Sequence, residues 1–129
     1  MRRYQHLALA GCAIALLAGA GCSNDPFREV SGTVTLDGKP LPEGEIIFLS
    51  PDNSTTPSTG PISDGKFRCK ATVGAKKVQV NAVRDTGKVE LGAKVYESII
   101  PERFNAKTIL TADVKEGGPN EFAFEVKSK

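Results

Sequence analysis

Three cysteines and one histidine carry most of the chemistry open to this chain of 129 residues. A thiol becomes a nucleophile or a metal ligand beside a base or a cation that favours its thiolate, and a serine nucleophile needs a neighbouring base. His6, the one histidine, stands ahead of an apolar run at the start of the chain. If that segment is removed, no imidazole remains for a Ser-His-Asp or Cys-His mechanism. Zinc sites are built from His and Cys in most cases, and Cys69 is the one cysteine after Cys22. Asp37 and Asp64 each precede a glycine, which is turn chemistry, and no Asp-x-Asp-x-Asp-Gly spacing supplies a calcium loop. Gly117-Gly118-Pro119 is too short for a phosphate loop and leads into a strand, not a helix. No two carboxylates stand out as a glycosidase pair. A Lys-Asn isopeptide needs an inward lysine on a core strand, whereas Lys39 falls in a turn and Asn120 at a strand start. The residues therefore predict no catalytic centre, no metal and no cofactor.

The chemistry that remains is at Cys22. Met1 to His6 is charged and polar, Leu7 to Gly21 is apolar or small, and Ser23-Asn24-Asp25-Pro26 is polar. This is the order of a secretory signal, and the apolar run falls short of the roughly 20 residues that span a bilayer as a helix. Residues 1–21 are read as a removed signal peptide, residues 22–29 as a tether and residues 30–129 as the folded domain. Leu17-Ala18-Gly19-Ala20-Gly21 before Cys22 resembles the bacterial lipobox, with Gly19 where an aliphatic residue is usual. Lipidation of Cys22 is the favoured reading; ordinary cleavage after Ala18-Gly19-Ala20 would instead release a secreted protein beginning at Gly21. Cys12 leaves with the leader. Cys69 shares a strand face with Phe67 and reads as an inert core thiol.

Charge narrows the partners. Of 17 Lys+Arg against 15 Asp+Glu, Arg2 and Arg3 leave with the leader, so the mature chain is formally neutral. Lys76-Lys77 is the one adjacent basic pair that stays, and no stripe suits a nucleic acid. Trp is absent, and Tyr96 is the one tyrosine beyond the leader. It is expected to pack over the end of the core with its hydroxyl in water.

The elements that would hold these residues are strands. Val30–Leu36 alternates, with Val30, Val34 and Leu36 on one face and Gly32 in register. Asp37-Gly38 turns the chain, and Glu45–Ser50 is apolar on both faces. Pro51–Thr59 is a polar loop. Gly60–Ser63 and Lys66–Lys70 form a hairpin about Asp64-Gly65. Lys76–Val83 alternates with Val78, Val80 and Ala82 inward. Arg84–Ala106 reads as a long crossing connection whose Val95, Ile99, Ile100 and Phe104 close one end of the core. Thr108–Val114 and Glu121–Lys127 are the last strands, the latter with Phe122, Phe124 and Val126 inward. About seven short strands and no amphipathic helix predict an all-β, Greek-key β-sandwich of transthyretin-like or immunoglobulin-like type.

Val30-Ser-Gly-Thr-Val-Thr-Leu-Asp-Gly-Lys-Pro-Leu-Pro42, Gly44 to Pro51, Ser63-Asp-Gly-Lys-Phe67, Val73 to Val80, Ile100-Pro-Glu-Arg-Phe-Asn105 and Asn120 to Val126 occur in an order that resembles the carboxypeptidase regulatory-like, transthyretin-like domains found as short lipoproteins in planctomycete-type bacteria. Val73-Gly74-Ala75 departs from the Pro-Gly common in such domains. The resemblance implies a sandwich fold, a location in the cell envelope and no reaction. The expected function is structural or protein-interacting: a non-catalytic lipoprotein held to a membrane through its lipid, with an envelope protein or glycan as partner. The alternative is a peptide- or glycan-binding module that uses the 51–59 and 84–106 loops.

Overall fold

Period-two alternation decides which side chains enter the interior. In the computed structural model, which describes residues 25–129, ten strands follow one another: β1 (Phe27–Leu36), β2 (Lys39–Pro40), β3 (Glu43–Leu49), β4 (Ser58–Ser63), β5 (Lys66–Thr72), β6 (Gly74–Asn81), β7 (Val83–Glu90), β8 (Ala93–Ser98), β9 (Leu110–Val114) and β10 (Asn120–Val126). A single 3-10 turn, Glu102–Phe104, lies between β8 and β9. Val30 and Val34 of β1, Ile46 and Phe48 of β3, Val78 and Val80 of β6 and Phe124 and Val126 of β10 are buried, as the alternation predicts.

Eight of the strands form one sheet in the order β10-β1-β5-β4-β3-β6-β9, with β2 beside β1. The β4–β5 pairing is confined to Ile62 with Phe67 and Ser63 with Lys66, next to the Asp64-Gly65 turn. Beyond that short ladder the sheet curls over on itself, and the two parts face each other as an all-β sandwich. Phe48 of β3 and Phe67 of β5 meet across the interior with ring centroids 6.0 Å apart, and Phe67 stacks on Phe124 at 6.1 Å. Such aromatic pairs add roughly 0.5–1.5 kcal/mol to their area burial.

Two features of β1 are not legible in its alternation. The strand begins at Phe27, and residues Phe27–Glu29 pair with Thr72–Lys70 of β5, so three residues read as tether belong to the sheet. β1 also pairs with β10 in parallel, Val30 with Asn120 through Leu36 with Val126, whereas every other ladder among the described residues is antiparallel. Gly32 fits here for a steric reason: a Cβ at this position would stand 1.8 Å from the carbonyl oxygen of Phe122.

The strands define two ends. At one lie Pro26, the Ser50–Ser58 loop, the Thr72–Gly74 turn and the β9–β10 connection. Val73 N–H donates to Pro26 O there at 3.3 Å, and the Asn120 amide closes the connection by bonding both backbone groups of Lys115 at 2.8 and 3.0 Å. At the other end lie the Asp37-Gly38 and Asp64-Gly65 turns and Asn81–Val83. Eight residues of β6 separate the two ends, or roughly 25 Å at strand rise.

Candidate functional site

Cys22, the predicted lipidation site, lies outside the described residues, as do the signal peptide, Cys12 and His6. The first described residues show how the chain is fastened where it meets the sheet. Asp25 Oδ1 accepts from Phe27 N–H at 2.9 Å. Arg28 donates from Nη1 to the carbonyls of Asp25 and Phe27, at 2.5 and 2.8 Å, and from Nε to Glu116 O at 3.0 Å. Arg28 thereby binds the incoming chain to the β9–β10 connection.

Residues 84–106, expected as a connection across the core, contain instead a separate two-stranded sheet, β7–β8. The hairpin leaves the domain at Val83, at the end opposite Pro26. Along both strands only Thr86 and Val95 are even half-buried. Its support is internal: Arg84 pairs with Glu97, Lys94 Nζ lies 3.5 Å from Asp85, and the Thr86 hydroxyl donates to Val95 O at 2.8 Å. Val95 is therefore part of the hairpin and not of the core end, and Tyr96, 55% exposed, does not pack over that end. Ile100 and Phe104 do close it, with Ile99 against them. Ser98 Oγ, bonded to both the carbonyl and the N–H of Ile100, redirects the chain from hairpin to core.

The tip of this finger is apolar. Val89 is 66% exposed and Leu91 is fully exposed, and at the base of the finger Val83 is 62% exposed. Leu91 has φ +50° and Gly92 φ +80°, a two-residue turn of the kind that Asp37-Gly38 and Asp64-Gly65 also make. Asp tolerates the left-handed region because its side chain bonds nearby backbone, and Leu has no such compensation. A strained, solvent-facing leucine at the apex is the feature here that packing within the chain does not explain.

At the other end, Ser58 and Thr59, read as part of the 51–59 loop, already belong to β4, and the residues before them are ordered by their own polar groups. Asn53 N–H donates to Ser50 O at 3.0 Å, and Ser54 N–H to Asp52 Oδ1 at 3.0 Å. Hydrogen bonds from Ser54 hold the Asp52 carboxyl below its ordinary range. Beneath the loop lies a residue that reading the sequence missed. Lys76, one half of the basic pair, is 5% exposed. Its Nζ donates to Thr72 Oγ1 at 2.5 Å and to Ser50 Oγ at 3.2 Å, and Ser50 in turn bonds the Thr55 hydroxyl. The signal was present, since Lys76 has the same parity as Val78, Val80 and Ala82. It is the inward lysine on a core strand that was sought at Lys39, and the Asn120 amide is occupied by Lys115.

The 51–59 loop and the β7–β8 finger thus lie at opposite ends of the domain, while the end of the 84–106 segment returns toward the loop, where Ala106 lines a cleft of about 240 Å³ with Pro51 and Asn53. Among the described residues Cys69 has no disulfide partner; it is a half-buried thiol packed against the core, and burial pushes its pKa up, which disfavours the reactive thiolate. Among the described residues no group of three His, Cys, Asp or Glu side chains stands close enough to hold a metal ion, and no helix is long and apolar enough to cross a membrane. The chain matches no family model, no curated protein and no solved structure.

Proposed function

We propose that this protein is a non-catalytic cell-envelope lipoprotein that presents the β7–β8 finger to another envelope protein. The finger carries the reading: it leaves the domain at the end opposite the chain's approach from Cys22, packs on nothing, and ends in an exposed leucine held at positive φ. A lipid on Cys22 would set the Pro26 end toward the bilayer, so that the finger stands roughly 25 Å farther out. Two or more acyl chains anchor stably where a single one is marginal, and a formally neutral domain has no basic patch to substitute for them. The expected absence of a reaction fits the resemblance to regulatory-like accessory domains, and secretion without a lipid is the competing route.

Two measurements test this reading. A photoreactive side chain placed at Leu91 in living cells is expected to cross-link one discrete envelope protein, while the same group at Glu125, exposed on β10, is expected to give none. Equal or absent labelling at both positions counts against the finger. Cys22→Ser is expected to move the protein out of the membrane fraction or to block its maturation, and an unmodified Gly21 at the wild-type N-terminus would overturn the anchor.

A further inference from the structure

Lys76 is a cation inside the domain with no anion in direct contact; the carboxylate that feels its charge is Asp52, on the rim above it. Among the described residues no carboxylate lies within 4.0 Å of its Nζ, and the neighbours that accept from it are the neutral hydroxyls of Ser50 and Thr72. A buried charge is costly unless it is paired, and hydroxyls alone are weak compensation for an ammonium. Lysine has three donors, of which these two hydroxyls take two.

Lys76 and its partner Ser50 border a space that opens outward. A cleft of about 320 Å³ lies between the Pro51–Thr55 loop and the Val73–Gly74 turn, with Ser50, Thr55 and Lys76 in its wall. Gly74, with φ +124° and nothing within 4 Å of where a Cβ would stand, leaves the mouth clear. We propose that this cleft binds a single carboxylate, the C-terminal carboxylate of a peptide with a small apolar last residue. Lys76 supplies the charge and its third donor, and the hydroxyls of the Ser50–Thr55 pair rotate to donate to the second oxygen.

The lining chooses among anions. One ammonium balances one carboxylate, whereas a phosphate dianion would keep an excess charge facing Asp52 on the rim. Pro51, Val73 and Ala75 offer apolar contact to a short aliphatic side chain, and no aromatic ring is present to stack on a sugar acid. The site is roughly 25 Å from the finger, at the other end of β6, and rests on nothing proposed for the finger or for Cys22.

The test uses the mature protein, isotope-labelled for NMR of the lysine side chains. N-acetylalanine is expected to bind saturably in the millimolar range or tighter, shifting the Lys76 signal, with its amide roughly 10-fold to 100-fold weaker. Lys76→Met should abolish binding while leaving the melting temperature unchanged or raised, because an unpaired buried charge is exchanged for an apolar chain of similar length. Thr72→Val, a milder change, should weaken binding without unfolding the domain. Asp52→Asn should tighten it. No saturable shift in the wild type, or binding that survives Lys76→Met, overturns the site. Tighter binding of inorganic phosphate or galacturonic acid than of N-acetylalanine overturns its assignment to a peptide carboxylate.

Discussion

The curled sheet and the β7–β8 finger are built by the same local rules and come to opposite states. Both use two-residue turns ending in glycine, and both set alternating residues on opposite faces. In β6 the alternation delivers Val78 and Val80 to an interior where neither retains measurable exposure. In β7 it delivers Val83 and Val89 to water. The difference is the presence of a second layer. A two-stranded hairpin has no interior of its own and is marginal in isolation, so β7–β8 persists through ion pairs and its junction with the body at Ile99–Ile100. Burial follows from what lies opposite a strand, not from the strand's own pattern.

The largest expected break in this contrast is at Phe48, which is 1% exposed. Phe48→Ala should cost about 3–5 kcal/mol in a urea melt, while Tyr96→Ala on the finger should stay within about 0.5 kcal/mol. Comparable losses would mean that the finger packs on the body in solution. Next is Gly32→Ala, which sets a methyl against the Phe122 carbonyl. A loss of about 1–3 kcal/mol is expected, with faster amide exchange along β10.

A smaller change sharpens the comparison from the other side. Leu91→Asn relieves the left-handed strain at the apex and should stabilise the hairpin by about 0.5–1 kcal/mol, seen as slower hydrogen exchange at Glu90 and Ala93 with no shift in the global melt. The smallest effect belongs to the equivalent turn in the body. The Ser128 hydroxyl and then its backbone N–H donate to Asp37, at 2.6 and 3.0 Å, and hold its carboxyl below the ordinary range. A carboxyl lowered in the folded state contributes stability that is present above its unfolded pKa of about 3.9 and is lost as pH falls through the folded value. Asp37→Asn should therefore remove a slight acid-side decline in the urea midpoint and leave the Leu91 turn untouched.

What the sequence disclosed follows the same division. Alternation located the strands that meet an opposing layer, and Asp-Gly located their turns. It failed for β7–β8 because both faces of the finger are wet and its turn is Leu-Gly. It stopped β1 at Val30 because Phe27 and Glu29 fall on the outward parity and join the sheet through backbone pairing, with a Glu29–Arg68 ion pair on the outer face. Lys76 shares the inward parity of Val78 and Val80, but parity alone does not say that neighbouring hydroxyls will receive a buried ammonium. The direction of β10 was not legible at all, since an alternating strand reads the same in parallel and antiparallel partnership. Cys22 was singled out from its neighbours in the sequence, and the lipid proposed for it falls on residues outside the described structure.

The partnership of β1 with β10 also sets an order of events. β1 is the first of the described strands to emerge during synthesis, and its two long ladders wait for residues 66–72 and then residues 120–126. Until the last of these appears, one side of β1 keeps open backbone donors and acceptors, the state most prone to mispairing with another chain. Pairings of such sequence separation also fold slowly, in milliseconds to seconds for sheet proteins of high contact order. The domain therefore cannot complete itself piece by piece: its first described strand is finished by its last.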